Sequence, residues 1–315
     1  MVPLRIVFCG TPAFAVPSLR HLIAQPDFQI AGVVTQPDRP RGRGQETASS
    51  PVKAAAIAAG IDVYQPEKIR SEEVFEYFKR LAPDAVAIIA YGQIVPARLL
   101  EIPRLGWINV HASLLPKYRG AAPINWAIAN GEKRTGLTTM RIDAGLDTGP
   151  TLLKFETDIG PDETAPELSS RLADAGAPLI VETLRKLERG EITPVPQNNS
   201  QATLAPPLKK EEGRMDWSLD AHKIYNRIRG FDPWPGAFTT FRGKNCRIWG
   251  KPLKPISAGG TPGIVLPTRE DGLLVICGGG TVLRVEQVQL EGRNRVTDGE
   301  FMNGARIVPG ERFGT

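Results

Sequence analysis

Short β-branched runs alternate with segments of helical spacing through the first half of the chain. Arg5–Cys9 and Gln29–Thr35 are strand-like, and Pro12–Ala24 between them sets apolar residues at helical intervals, which predicts an opening βαβ unit. Asp84–Ala90 is a nearly continuous apolar run, the pattern of a strand covered on both faces, and Trp107–Val110 follows it. Val52–Ala59 and Glu72–Leu81 supply helices in the intervals. Thr135–Asp143 and Thr151–Thr157 add two strands, and Glu163–Leu187 is long and periodic enough for a substantial helix. The expectation is an α/β domain over residues 1–189, built on a parallel sheet.

The pattern then changes. Residues 190–207 are rich in Pro, Asn, Gln, Ser and Thr, and Pro194, Pro196, Pro206 and Pro207 discourage helix and central strand, so this stretch reads as a linker. Beyond it, Ser218–Arg229 has helical spacing. Ala237–Ile248, Gly263–Leu266, Leu273–Cys277 and Thr281–Leu290 are short β segments at turn-rich intervals. Residues 208–315 therefore read as a small β-barrel domain, of the oligonucleotide-binding (OB-like) type. No repeat of fixed period is visible.

Composition narrows the function classes. With 315 residues, 41% hydrophobic and 23% charged, the chain can bury two ordinary cores. No apolar stretch approaches the roughly 20 residues of a membrane helix, and the amino terminus lacks the features of a secretory signal, so a cytoplasmic protein without a membrane role is expected. Cys9, Cys246 and Cys277 are far apart, and His21, His111 and His222 are scattered; neither a disulfide framework nor a metal site is expected. The net charge is +5, and all of it arises from Lys209 onward, the preceding residues being balanced. That asymmetry points to a polyanionic partner for the carboxy-terminal domain.

Candidate chemistry lies in three places. Gly10–Thr11–Pro12 follows the first strand where open parallel sheets place ligand loops, but it lacks GxGxxG spacing and reads rather as a structural strand-to-helix turn, so no dinucleotide is expected. Alternation along Trp107–His111 puts Asn109 and His111 on one face. An amide donor beside an imidazole suits a reaction in which a carbonyl oxygen gains negative charge, although two satisfied buried polar residues would give the same pattern. Asp143–Pro150 is a glycine-punctuated loop whose Asp147 could serve as a carboxylate partner to His111 or fix a turn through its own backbone.

Asn109–Val110–His111, then Ser113–Leu114–Leu115–Pro116, then Tyr118–Arg119–Gly120–Ala121–Ala122–Pro123–Ile124, with Gly145–Leu146–Asp147–Thr148–Gly149 further on, form a constellation that resembles the folate-dependent formyltransferases. The resemblance implies a Rossmann-like catalytic domain and 10-formyltetrahydrofolate as formyl donor, with no metal. It implies Asn109, His111 and Asp147 as the catalytic trio. It also implies a folate border made by Ser113, Leu114, Leu115 and Pro116 together with Ile88, Tyr91 and Gln93. Ala112 departs from the glycine that many members carry.

The acceptor needs separate signals. Gln36–Gly44 is a basic loop punctuated by glycine, in which Arg39, Arg41 and Arg43 could reach phosphates and bases or could simply form a solvated charged turn. This loop, Leu208–Glu212, Asp216–Ser218 and Phe231–Gly236 resemble the members of the family that act on aminoacyl-tRNA. The resemblance implies initiator Met-tRNA and a reduced folate as partners, tRNA contacts from the three arginines and Lys210, and translation initiation as the process. A further departure is Pro207, which stands where those members have a lysine. A monomer is expected. The alternatives are a formyltransferase acting on a nucleotide-linked amino sugar, which should not need the arginine loop, and a non-catalytic RNA-binding protein that uses the basic barrel.

Overall fold

The computed structural model describes residues 2–41, 46–253, 259–268 and 270–314. In chain order the first elements are β1 (Leu4–Gly10), α1 (Val16–Ile23), β2 (Phe28–Val34), β3 (Arg39–Arg41), β4 (Glu46–Ala48), α2 (Pro51–Ala58), β5 (Val63–Tyr64), α3 (Glu72–Leu81), β6 (Ala85–Ile89) and α4 (Ala97–Leu100). They are followed by β7 (Trp107–His111), α5 (Pro123–Ala129), β8 (Arg134–Arg141), β9 (Thr151–Asp158) and α6 (Ala165–Glu188). Last come α7 (Ala221–Gly230), β10 (Phe238–Phe241), β11 (Lys244–Pro252), β12 (Val265–Pro267), β13 (Leu273–Ile276), β14 (Val282–Leu290), β15 (Val296–Thr297) and α8 (Asp298–Ala305). Two compact units result. The first comprises Met1–Pro123, Arg134–Asp158 and Leu168–Pro206; the second comprises Ile124–Lys133, Ile159–Glu167 and Pro207–Thr315.

The first unit is built on a seven-stranded sheet of order β5-β2-β1-β6-β7-β8-β9. Strands β5 to β7 pair in parallel, as the apolar runs predict, and β1 and β6 are buried on both faces. On one face Val7, Cys9, Val86, Ile88 and Trp107 pack against Val74 and Phe78 of α3, which lie one helical turn apart. The strands β8 and β9 run antiparallel to their neighbours, so the sheet is mixed rather than wholly parallel. For β9 the cause is legible, since the connection 142–150 is shorter than the dozen or so residues a parallel crossover needs; residues 112–133, which join β7 to β8 and carry α5, are not so short. Helix α2 starts where expected, with Ser50 Oγ accepting from Lys53 N at 3.0 Å and Pro51 in the first turn.

Residues 190–206 do not hang free. Val195 exchanges two backbone hydrogen bonds of 2.8 Å with Thr151, and Arg119 donates to Thr203 O at 2.9 Å and accepts from Ala205 N at 2.7 Å. Prolines keep the segment out of α-helix and extended strand, apart from a single 3-10 turn at Asn199–Gln201, while bridges at Val195 and Leu204 tie it to Thr151 and Arg119.

In the second unit β10-β11-β14-β13-β12 form an antiparallel sheet with β15 beside β14. It curls into a half-barrel around Val265, Val275, Leu283, Val285 and Val288. The run Ala237–Ile248, which reads as one strand, is split into β10 and β11 by a turn at Arg242 and Gly243, where φ is 48° and 73°. Helix α8, weakly amphipathic and glycine-interrupted, has no clear periodic signal, but Thr297 and Glu300 cap it reciprocally. The last residues close the half-barrel. Gly314 N donates to Thr240 O of β10 at 2.8 Å, while Val265 N of β12 donates to Glu311 O at 2.7 Å. Between these bonds Phe313 is fully buried, with its ring centroid 5.7 Å from that of Trp217 and 5.2 Å from that of Phe241. Phe313→Ala is expected to destabilise this unit by about 3–5 kcal/mol, read as a lower midpoint in its denaturant transition.

Candidate active site

Asn109 and His111 lie two residues apart on β7 and share a sheet face, in register with Met140 and Thr138 of β8. His111 is 5% exposed. Its Nε2 lies 2.8 Å from the carbonyl oxygen of Tyr118. A carbonyl can only accept, so Nε2 carries the hydrogen and Nδ1 is left as the nitrogen that can take a proton. Tyr118 is held for this contact at φ 61°, and its own N–H donates to Thr203 Oγ1 at 2.9 Å.

The loop between β8 and β9 brings Asp147 to that free nitrogen. Asp147 Oδ2 is 3.6 Å from His111 Nδ1 and accepts from Gly120 N at 2.8 Å. The separation is too long for a good hydrogen bond, and it leaves the carboxylate facing the ring nitrogen that Tyr118 does not occupy. The loop is shaped by Asp143, whose Oδ1 accepts from Gly145 N at 3.0 Å and Thr148 Oγ1 at 2.7 Å, and by Asp147 itself at φ 51°. Gly149 must be glycine, since a Cβ there would lie 1.9 Å from Arg141 O. The turn-fixing reading therefore fits Asp143, whereas the carboxylate of Asp147 is directed to His111.

Asn109 is half-buried, and its side chain makes no hydrogen bond to any described residue, so its amide remains available to a ligand. Ile88 of β6 is its parallel neighbour in register. Around the loop after β6, Thr11 Oγ1 and Gln36 Nε2 donate to Tyr91 O at 3.3 and 3.1 Å, and Gln93 Oε1 accepts from Ile69 N at 2.8 Å. The Tyr91 hydroxyl is buried without a partner, and burial pushes its phenol up. In the Ser113–Pro116 run, Ser113 and Leu115 are buried, whereas Leu114 and Pro116 stay half-exposed. Ser113 Oγ donates to Lys117 O at 2.6 Å and Thr138 Oγ1 donates to Ser113 O at 2.7 Å, so this serine is used within the protein. The glycine of the Gly10 turn is explained by packing, because a Cβ would sit 2.8 Å from the Phe8 ring.

Within and beside the basic loop β3 and β4 pair antiparallel, with Arg39 opposite Ala48 and Arg41 opposite Glu46. Its base is anchored by the Asp38–Lys53 ion pair and by Gln65 Nε2, which donates to Asp38 Oδ1 at 2.9 Å. Lys53 and Gln65 together hold the Asp38 carboxyl below its usual range. Arg39 is exposed, and Arg43 lies outside the described residues. Lys210, also exposed, borders a cavity of the second unit with Pro235, Phe238 and Arg247. Among the described residues, no three His, Cys, Asp or Glu side chains gather in a set that could hold a metal ion, and no helix is long and apolar enough to cross a membrane. The three cysteines are free and buried, and burial pushes the thiols of Cys246 and Cys277 up to about 12.

Sequence reasoning gave no role to Tyr118, Gly120, Arg119, Gln197 or Thr203, although the first three stand within the motif that carries the resemblance. Gln197 and Thr203 sit in a stretch whose composition reads only as linker.

Residues 4–184 match the family model described as formyl transferase, and residues 207–306 match that of the formyl transferase carboxy-terminal domain. A protein of Solibacter usitatus named methionyl-tRNA formyltransferase is 54% identical over 99% of both chains. One of the same name from Geobacter metallireducens is 50% identical over the full length of both. Among solved structures, a sugar 3N-formyl transferase crystallised in the presence of dTDP and 5-N-formyl-THF superposes with a TM-score of 0.66 at 17% identity, covering 92% of this chain and 99% of that one. HypX from Aquifex aeolicus in complex with tetrahydrofolic acid gives 0.61 at 17%, over 96% of this chain and 48% of that one. At that level of identity the two structures speak for the fold alone. With both family domains matched and relatives aligned end to end, the chain belongs to the formyl transferase family.

Proposed function

We propose that the protein transfers the formyl group of 10-formyltetrahydrofolate to the α-amino group of methionine esterified to initiator tRNA, in the cytoplasm, as a monomer. The full-length likeness to proteins named methionyl-tRNA formyltransferase carries this reading. Residues 1–189 form the catalytic domain, and residues 208–315 bind tRNA together with the arginine loop.

The neutral amine attacks the formyl carbon, and the carbonyl oxygen takes the negative charge beside Asn109, whose uncommitted amide can donate to it. The nitrogen that attacks must lose a proton and the departing folate nitrogen must gain one. With Nε2 bound to Tyr118 O, His111 exchanges protons through Nδ1, and Asp147 beside it stabilises the imidazolium formed in transit. The C–N bond to folate then breaks, leaving formylmethionyl-tRNA and tetrahydrofolate. An α-amine titrates near ~8, so a useful neutral fraction exists at cytosolic pH. Ile88, Tyr91, Gln93 and the Ser113–Pro116 run border the folate, with Leu114 and Pro116 the accessible members of that run.

The decisive assay supplies the formyl donor with methionine-charged tRNA, uncharged tRNA, free methionine, glycinamide ribonucleotide and a nucleotide-linked amino sugar. Only charged tRNA is expected to become formylated. Formylation of the amino sugar alone would overturn the reading. Arg43→Ala is expected to weaken formylation of charged tRNA while sparing slow hydrolysis of the donor.

A further inference from the structure

Gln197 lies half-buried in the proline-rich segment that follows α6. Its Nε2 donates to two carbonyl oxygens of the Asp147 loop, Asp147 O at 2.8 Å and Gly149 O at 2.7 Å. Its Oε1 accepts from Arg119 Nη2 at 2.8 Å and Nε at 3.1 Å, and Arg119 also donates to Asn199 Oδ1 at 2.8 Å. Arg119 is 6% exposed, and no described carboxylate lies within ion-pair distance of its guanidinium. A buried cation served only by amide oxygens is costly to keep, so its place here calls for a return. It fixes Gln197 through two bonds that converge on its Oε1, and so fixes which end of that amide donates. Gln197 in turn grips the loop on both sides of Thr148, at the residue held at φ 51°. Six residues on, Thr203 holds Tyr118, whose carbonyl orients His111.

We infer that the Arg119–Gln197 pair is a positioning device for formyl transfer, which holds the Asp147 carboxylate at His111 by clamping the loop backbone. The inference rests on the catalytic reading of Asp147. The alternative, a bond that merely tidies a surface loop, makes a different prediction. Gln197→Glu retains shape and gives Arg119 a carboxylate partner, but removes both N–H donors and sets an anion against two carbonyls. Stability and turnover should therefore separate.

The test uses the full chain with charged tRNA as acceptor, measuring kcat, the KM for the formyl donor and the melting midpoint of Q197E, D147N and the double variant. Q197E is expected to melt no lower than the parent and to keep its donor KM, with kcat reduced about ten- to a hundred-fold through misplacement of the loop. Added to D147N, it is expected to have no further effect, since the group it positions is already disabled. If Q197E alone lost its fold, Q197M, of similar length and without donor or charge, carries the same kinetic prediction. A D147N variant as active as the parent would overturn the catalytic reading and the clamp with it. An impaired D147N beside an active Q197E, or a double variant in which the two losses multiply, would overturn the clamp alone.

Discussion

Asp147→Asn is expected to lower kcat by about 10²–10⁴-fold, the range for a positioned acid–base group, with little change in the KM for the formyl donor. The substitution is close to isosteric. Its amide oxygen can still accept from Gly120 N, the bond of 2.8 Å that anchors the carboxylate, so the loop should keep its course. What disappears is the negative charge 3.6 Å from His111 Nδ1. Because Nε2 is committed to Tyr118 O, the imidazole has no second route for a proton, and loss of the counter-charge falls directly on proton transfer. Steady-state kinetics with charged tRNA check this. A fall in donor affinity equal to the fall in kcat would instead assign Asp147 to folate binding.

Asn109→Ala is expected to lower kcat by about 10²–10³-fold, the loss typical when one donor to a developing oxyanion is removed. Asn109 is half-buried on a central strand, with no side-chain bond to a described residue, so truncation should leave the fold and the His111–Asp147 geometry intact. Donor KM should change little, because the oxygen carries most of its charge only after attack. Equal losses in kcat and donor binding would contradict the oxyanion role.

The parallel core of the first unit was open to sequence reasoning because its strands are short apolar runs separated by helical periods, and Asp84–Ala90 needed both faces covered. The reversal from β8 to β9 is signalled by a short connection, whereas that from β7 to β8 is not, because residues 112–133 carry a helix and are long enough for a parallel crossover. In the second unit, the Arg242–Gly243 turn and helix α8 escaped because hydrophobicity runs through the first and is broken by glycine in the second. For the site, alternation put Asn109 and His111 on one face, but nothing local could choose between Asp143 and Asp147 as partner to the imidazole. The structure separates them through hydrogen bonds: Asp143 ties the turn and Asp147 reaches outward. The tautomer of His111 was not legible either, since it depends on a backbone carbonyl seven residues on. Gln197 was hidden for a different reason. Its task is carried by one side-chain amide in a stretch whose composition speaks only of extended chain.

That stretch also bears on how the protein can be divided. The match to the formyl transferase model stops at residue 184, and a fragment ending there, or at 189, would retain every strand of the first sheet together with Asn109, His111 and Asp147. It would lack Val195, Gln197 and Thr203, the groups that hold β9, the Asp147 loop and Tyr118. Such a fragment should be a poor catalyst for any acceptor, and its failure would be easily mistaken for loss of tRNA binding. A cut after Pro206 would instead keep Val195, Gln197 and Thr203 with the loops they hold, although Ile124–Lys133 and Ile159–Glu167, which belong to the second compact unit, would remain on the same fragment.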